Sequence, residues 1–504
     1  MTKSYNLETA KMSEDDIDFD GFSTFGSDEF PSSGSAGANP AAGFPKTQQG
    51  GSRPPINILP EITSRQPMKK KGPLRPLIKE VICPHCWYHF PPENVVWIAE
   101  SPELRGDFRI GEDGAQRFLP MVFDFYGNAI DAKGAVCRKV ACPHCHLHIP
   151  QTELEMPNYF ISIAGAPASG KSYFLATMTM ALRREFPKYF QMNFMDADPH
   201  MNQILQEYEE LLFLSENDTS VAKIDKTEEQ GVLYDTVIID GRQVTFPSPF
   251  IFSLVPLETH QFASRSTDVA VNLCLYDNAG ESYLPSQDAD KLTLPVTRHL
   301  AQSNCIFFLF DPLQDVRFQR VCQTVSDDPQ LTQTAGRRRV RQETVLTEMI
   351  NRVRVHRNMN VTDKYTNPLF IVVTKADAWA PLLEGVFSLK DEPLDKVKIK
   401  NSSGETVAVT YALREDKIKQ MSKAVRNLLL REIPEVIGAV EQFASDVTYI
   451  PVSATGSSPV VDSESNTVGF RSKDIKPMWV DVPVLYALAK SKQGVIRMID
   501  HGDN

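Results

Sequence analysis

The sequence predicts an α/β protein, a mainly parallel sheet with helices on both faces and with insertions, preceded by a small cysteine-rich β module and a disordered tail. Three observations carry that expectation. Beyond about residue 158, apolar runs of strand length alternate with helix-like patterns. Five of the eight cysteines, Cys83, Cys86, Cys137, Cys142 and Cys145, fall within 63 positions. The first 77 residues are rich in Ser, Gly, Ala and Pro and hold too little apolar surface to offset the entropy of ordering them. With 42% hydrophobic and 23% charged residues over 504 positions, the chain has material for a large core, which excludes wholesale disorder and a disulfide-dense mini-protein.

The tail, residues 1–77, divides electrically: residues 1–30 sum to −6 and residues 31–80 to +6, the bases gathering at Lys69, Lys70 and Lys71. Phe19, Phe22, Phe25 and Phe30 alternate with acids, a pattern that can dock on a partner and that equally suits a solubilising tail. The N-terminus shows no basic start, apolar stretch and small-residue cleavage site, and no run approaches the ~20 apolar residues of a membrane helix. A cytoplasmic chain without a membrane span is expected.

Residues 78–154 form the module. Two similar knuckles, ICPHCWYHFPPE and ACPHCHLHIPQTE, flank GDFRIGEDG and FLPMVFDFYGNAI, which read as strands and turns. In a reducing compartment, paired CxxC knuckles favour a metal over disulfides. Cys83, Cys86, Cys142 and Cys145 supply four soft thiolates, the donor set of a closed, structural, zinc-ribbon-like site. The 55 residues between the knuckles exceed the usual ribbon spacing. His85, His89, His144, His146 and His148 read as substitute ligands or as knuckle and surface residues, and Cys137 as a nearby buried thiol. A redox pair of CxxC motifs is the main rival, without a thioredoxin-like βαβ context. Within it, residues 81–152 carry a net −2, poor electrostatics for reading nucleic acid.

Residues 155–504 hold the sheet. NYFISIAG, FIFSLVPL, VAVNLCLYD, NCIFFLFD, PLFIVVTKAD and VTYIPVSA read as strands. Helical patterns cover Lys171 to Arg184, Asn202 to Leu214, Arg341 to Val355, Asp416 to Leu430 and Val482 to Ile499. TVIIDGRQVTF is a hairpin signal with Asp240 and Gly241 as its turn.

Strand NYFISIAG runs into Gly165-Ala166-Pro167-Ala168-Ser169-Gly170-Lys171-Ser172 and then a helix, which matches the phosphate-loop pattern GxxxxGK[ST] in its required context. Glycines let backbone N–H groups curl around phosphates, Lys171 can reach the β and γ oxygens, and Ser172 can ligate Mg²⁺. Asp277 ends a second apolar strand 106 residues after Lys171, with Gly280 three positions later. This resembles the DxxG motif of the Ras-like (TRAFAC-type) P-loop GTPases. The resemblance implies that Asp277 holds Mg²⁺ through water and that Gly280 offers its N–H to a γ-phosphate.

Two further motifs are similar to the family's base-reading elements. Thr374-Lys375-Ala376-Asp377 resembles [NT]KxD, whose Asp accepts from guanine N1 and N2, and Ser453-Ala454, 76 residues beyond Asp377, resembles the element whose backbone N–H meets guanine O6. Four motifs in order, spanning residues 158–456, imply GTP with Mg²⁺. Glu281 stands where Ras-like members carry a water-orienting Gln, and a carboxylate beside a γ-phosphate is repelled. Slow or partner-stimulated hydrolysis is expected, with Lys171, Asp277, Gly280 and Glu281 at the reacting phosphate. Thr245 and Thr219 compete for the effector-loop threonine. The run Arg337-Arg338-Arg339-Val340-Arg341 reads as a solvated loop or as phosphate-reaching arginines.

A zinc-ribbon-like module joined to such a domain is similar to predicted bacterial GTPases of the double-GTPase type. That implies a regulatory switch acting through a protein effector, a second GTPase or an activator. The formal charge of −11 gives no general attraction to phosphate backbones. Two rival functions stand beside this one: a P-loop ATPase, and a zinc-ribbon nucleic-acid adaptor with a vestigial nucleotide site.

Overall fold

The computed structural model describes residues 77–215, 219–224, 233–277, 297–326, 328–332, 341–383, 388, 391–400, 406–461, 468–491 and 495–500. The tail expected to be disordered, Gly280, Glu281 and the arginines at 337–339 lie outside the described residues. Seven strands form one mixed sheet: β1 (Asn158–Gly165), β2 (Met192–Asp196), β3 (Phe250–Pro256), β4 (Val271–Asp277), β5 (Cys305–Phe310), β6 (Leu369–Val373) and β7 (Val447–Pro451), in the spatial order β2-β3-β4-β1-β5-β6-β7. Strands β4, β1, β5, β6 and β7 are mutually parallel, whereas β3 and β2 add antiparallel pairs at one side. All six residues of β5, CIFFLF, are buried, as a strand covered on both faces requires.

Helices α1 (Lys171–Glu185), α2 (Gln203–Phe213), α3 (Gln342–His356), α4 (Glu415–Glu432), α5 (Pro434–Phe443) and α6 (Val482–Ser491) connect or flank these strands. The architecture is mixed α/β, and all six strands read in the sequence are present. Helix α6 is shorter than its apolar pattern: it ends at Ser491, and Met498–Ile499 instead pairs in parallel with the end of strand Thr406–Arg414. Strand β2, helix α5 and the hairpin Leu394–Lys400/Thr406–Arg414 carry no signal strong enough to be read in advance. Asp240 and Gly241 both have positive φ, 51° and 74°, and form the two-residue turn of hairpin Tyr234–Ile239/Arg242–Pro247.

Strand alternation divides the core in two. Ile161 and Ile163 of β1 and Leu273 and Leu275 of β4 pack in one cluster with Phe174 and Leu182 of α1. Phe160, Ile251, Cys274 and Tyr276 pack in the other with Cys83, Cys86, Trp87 and Leu147 of the cysteine module and with Val237 and Phe246 of the hairpin. A small module thus gains the buried surface that its 70-odd residues would not supply alone. Among the described residues, no helix is long and apolar enough to cross a membrane.

Candidate functional site

Parallel register brings the sequence motifs to one edge of the sheet. Ile163 pairs with Asp277, Gly165 with Leu309, Phe310 with Val373, and Val373 with Pro451. The ends of β1, β4, β5, β6 and β7, with the loops that follow them, therefore lie side by side. From β1 the chain leaves toward β2, β3 and β4, whereas from β5 it leaves toward β6 and β7. Such a switch in direction opens a crevice at the carboxyl ends of the strands, where ligands of α/β sheets bind.

The loop after β1 is shaped by three residues. A Cβ on Gly165 would lie 2.7 Å from the Leu309 carbonyl oxygen, too close for any side chain. Ala168 (φ 59°) and Gly170 (φ 91°) take left-handed conformations, and Gly170 caps the start of α1. The Lys171 ammonium is buried and donates back to the carbonyls of Gly165 (3.1 Å) and Ala166 (3.2 Å). Ser169 is fully buried and its Oγ has no hydrogen-bond partner among the described residues. Ser172 is half-buried in the first turn of α1.

Asp277 is 4% exposed, and its Oδ1 likewise lacks a partner among the described residues. Burial pushes its carboxyl up to about 6, while the Lys171 ammonium pulls the other way. An unpartnered buried carboxylate oxygen is costly unless a cation, a proton or a water meets it.

Loops after β5 and β6 brace this edge. The Thr374 hydroxyl donates to the Ser169 carbonyl (3.0 Å) and to that of Phe310 (3.3 Å). Lys375, at φ 56°, pairs with the fully buried Asp311 at 2.5 Å. Asp311 Oδ1 also accepts from the Leu313 N–H (3.0 Å), and Gln314 donates to Asp311 Oδ2 and to the Pro167 carbonyl, both at 3.2 Å. Neither Asp311 nor Gln314 belongs to a sequence motif. The available signal was an acid directly following an apolar strand.

Asp377 accepts a short hydrogen bond from the Ser453 hydroxyl, which in turn accepts from the Gly456 N–H (2.8 Å). Burial raises the Asp377 carboxyl above its ordinary value, and the Ser453 bond lowers it. Ser453 exchanges backbone bonds with Met478 (3.0 and 2.9 Å), and Ala454 follows at half-buried depth. A Cβ on Gly456 would overlap the Lys476 carbonyl oxygen, so the turn after Ala454 requires glycine. Thr245 lies in the hairpin with its hydroxyl 3.0 Å from that of Thr236.

Elsewhere, the four knuckle cysteines converge. Cys83, Cys86, Cys142 and Cys145 are buried, with their sulfurs all within 4.8 Å of one another. Separations of 3.7 Å (Cys83 to Cys145) and 3.8 Å (Cys86 to Cys142) match the ~3.8 Å edge of a tetrahedron with ~2.3 Å metal–sulfur bonds. The donor set fits one soft, tetrahedral metal ion with no position left open. Each knuckle repeats the same bonds: the N–H of His85 and of His144 reaches the first sulfur (3.4 and 3.3 Å), and Trp87 and His146, at φ 56° and 61°, close the turn onto the carbonyls of Cys83 and Cys142.

The four-sulfur group contains none of the five histidines. His85 Nε2 lies 3.0 Å from the His148 carbonyl, His146 Nδ1 lies 2.9 Å from Asp107, and His148 Nε2 lies 3.6 Å from Asp198. His89 pairs with Glu80 at 3.1 Å, and His144 stacks on Tyr88. Cys137 sits beside Asp131, away from the four. In a second acidic group, Asp315, Glu343 and Glu435, the Arg317 guanidinium bonds Asp315 at 2.8 Å and Glu435 more closely, and Arg341 lies 3.8 Å from Glu343.

Neither a scan against models of protein families nor a search of the curated proteins finds a match to this chain.

Proposed function

We infer that the chain is a GTP-binding protein of the Ras-like P-loop type that hydrolyses GTP slowly or with help from a partner, and that acts as a regulatory switch through protein partners. One observation carries this reading. A lysine-bearing glycine loop, a buried carboxylate with an oxygen unpartnered among the described residues, and the Asp377–Ser453 pair stand on strand ends of one sheet about a switch in chain direction. Lys171 would leave the Gly165 and Ala166 carbonyls for phosphate oxygens, and the N–H groups at the start of α1 would face the same anion. Ser172 and Asp277 would hold Mg²⁺, which supplies charge neutralisation between the β- and γ-phosphates. Asp377 would accept from guanine N1 and N2, donors that adenine cannot present together.

The four cysteines would hold structural Zn²⁺, whose role is to fix the two knuckles. Buried thiols crowded this closely are costly as neutral neighbours, and a divalent cation stabilises them as thiolates.

Calorimetric titration of the full chain with Mg·GTP and with Mg·ATP tests the reading. GTP should bind tighter, and Lys171→Ala should weaken it by roughly 10- to 100-fold, the worth of a charge-assisted hydrogen bond. Tighter binding of ATP would sink the guanine assignment, and single-turnover hydrolysis by the same protein would measure the slow step.

A further inference from the structure

The strand that ends in Asp277 is bonded to the cysteine module one residue earlier. Tyr276 is fully buried on the face of β4 that packs against the module. Its hydroxyl donates to the carbonyl of Pro84 at 2.5 Å, and Pro84 lies between Cys83 and His85 inside the first knuckle. Its ring lies 5.8 Å from that of Trp87, the residue directly after Cys86. On its other side the ring stacks on His299 at 5.0 Å, and His299 Nδ1 lies 2.6 Å from the hydroxyl of Ser162 on β1, three residues before Gly165.

The strands that lead into the Lys171 loop and into Asp277 are therefore tied to one aromatic ring, and that ring is tied to the knuckle. Strand alternation turns Tyr276 toward the module and Asp277 to the opposite face. The path from a metal-binding sulfur to the Asp277 carboxylate is short: the Cys83–Pro84 backbone, one hydrogen bond, one tyrosine and one peptide unit. A second tie runs alongside, where the Ile238 N–H donates to the Arg109 carbonyl at 2.7 Å and joins the hairpin to the module. If the knuckle loses its form, the Pro84 carbonyl departs and a buried phenol donor is stranded, which β4 can relieve only by shifting.

We propose that Tyr276 is a positioning residue that couples the four-cysteine centre to Asp277, so that metal at the cysteines and Mg·nucleotide at the β1 loop strengthen each other's binding. This rests on the nucleotide reading above. A filled centre holds Pro84, Pro84 holds Tyr276, and Asp277 then stands preplaced for its cation rather than being ordered at the moment of binding. Linkage makes the effect reciprocal: the factor by which zinc tightens nucleotide equals the factor by which nucleotide tightens zinc.

The full chain tests this with two titrations. Zinc affinity is measured by competition with a chromogenic chelator, with and without saturating Mg·GTP, and Mg·GTP affinity is measured calorimetrically on zinc-loaded and zinc-free protein. The expected result is the same factor, at least about fivefold, in both directions. Tyr276→Phe keeps the ring and should bring the factor to one while each ligand still binds, whereas a merely structural role would lower stability and leave the factor unchanged. Should Tyr276→Phe not fold, Trp87→Leu removes the ring contact from the knuckle side and should also reduce the factor. Equal zinc affinity with and without nucleotide overturns the coupling, as does a wild-type factor in the folded variants. Zinc-loaded protein that binds neither Mg·GTP nor Mg·ATP overturns the nucleotide reading first, and the coupling with it.

Discussion

The cysteine module and the strand-end loops both gather distant residues, by opposite routes. In the module, local backbone does most of the work: each CPHC knuckle aims two sulfurs through its own turn, and the second knuckle repeats the first 59 residues later. At the strand ends, nothing local relates Lys171, Asp277, Asp377 and Ser453, and only the register of parallel strands brings their loops together. The two sites also end differently. Four sulfurs face inward and complete one another, whereas Asp277 Oδ1 and Ser169 Oγ are left without partners among the described residues. A closed donor set suits permanent structure, and open valences suit a ligand that comes and goes.

The largest effect should break the closed half of that contrast. Chelation, or Cys83→Ser, should sharply lower the thermal stability of the chain, since a structural metal of this kind contributes up to about 10 kcal/mol. A thermal melt with and without chelator, together with elemental analysis for one zinc per chain, checks this, and an unchanged melt would refute it. Next in size, Asp377→Asn should erase the preference for GTP over ATP, by at least about 100-fold if the carboxylate reads guanine. Competition binding of the two nucleotides measures that ratio.

A smaller effect follows from the Asp277 carboxyl, pushed up to about 6 by burial. Its folded value lies above the ordinary one, so its contribution to stability is present at low pH and is lost as pH rises through about 6. Binding of Mg²⁺ needs the charged form and should strengthen over that same window, from pH 5 to 7. Asp277→Asn should flatten both profiles, and a pH-independent Mg²⁺ affinity in the wild type would remove Asp277 from the cation site. Smallest is Thr374→Val, which deletes the bond to the Ser169 carbonyl and should cost about 1 kcal/mol in urea denaturation.

Much of this was legible in the sequence because it is local. A GxxxxGK[ST] loop between a strand and a helix, or CxxC in a knuckle, declares its residues within a few positions of one another. The six apolar strands were legible for the same reason. The helical pattern overshoots the end of α6 because apolar residues continue past Ser491 into a segment that pairs as a strand. Asp311 and Tyr276 carry no sequence signal of this kind, since the partners that set them apart are tertiary, Lys375 in one case and Pro84 in the other. A buried tyrosine inside an apolar strand looks like any core residue until the acceptor of its hydroxyl is known.

Lys171 rests on the carbonyls of its own loop, which bears on the thermodynamics of occupancy. The loop is already folded around its cation, so a phosphate bound there would exchange these existing hydrogen bonds for new ones and freeze few backbone torsions. Association at this site should therefore show a small heat-capacity change and little ordering entropy, the signature of a rigid receptor rather than of coupled folding.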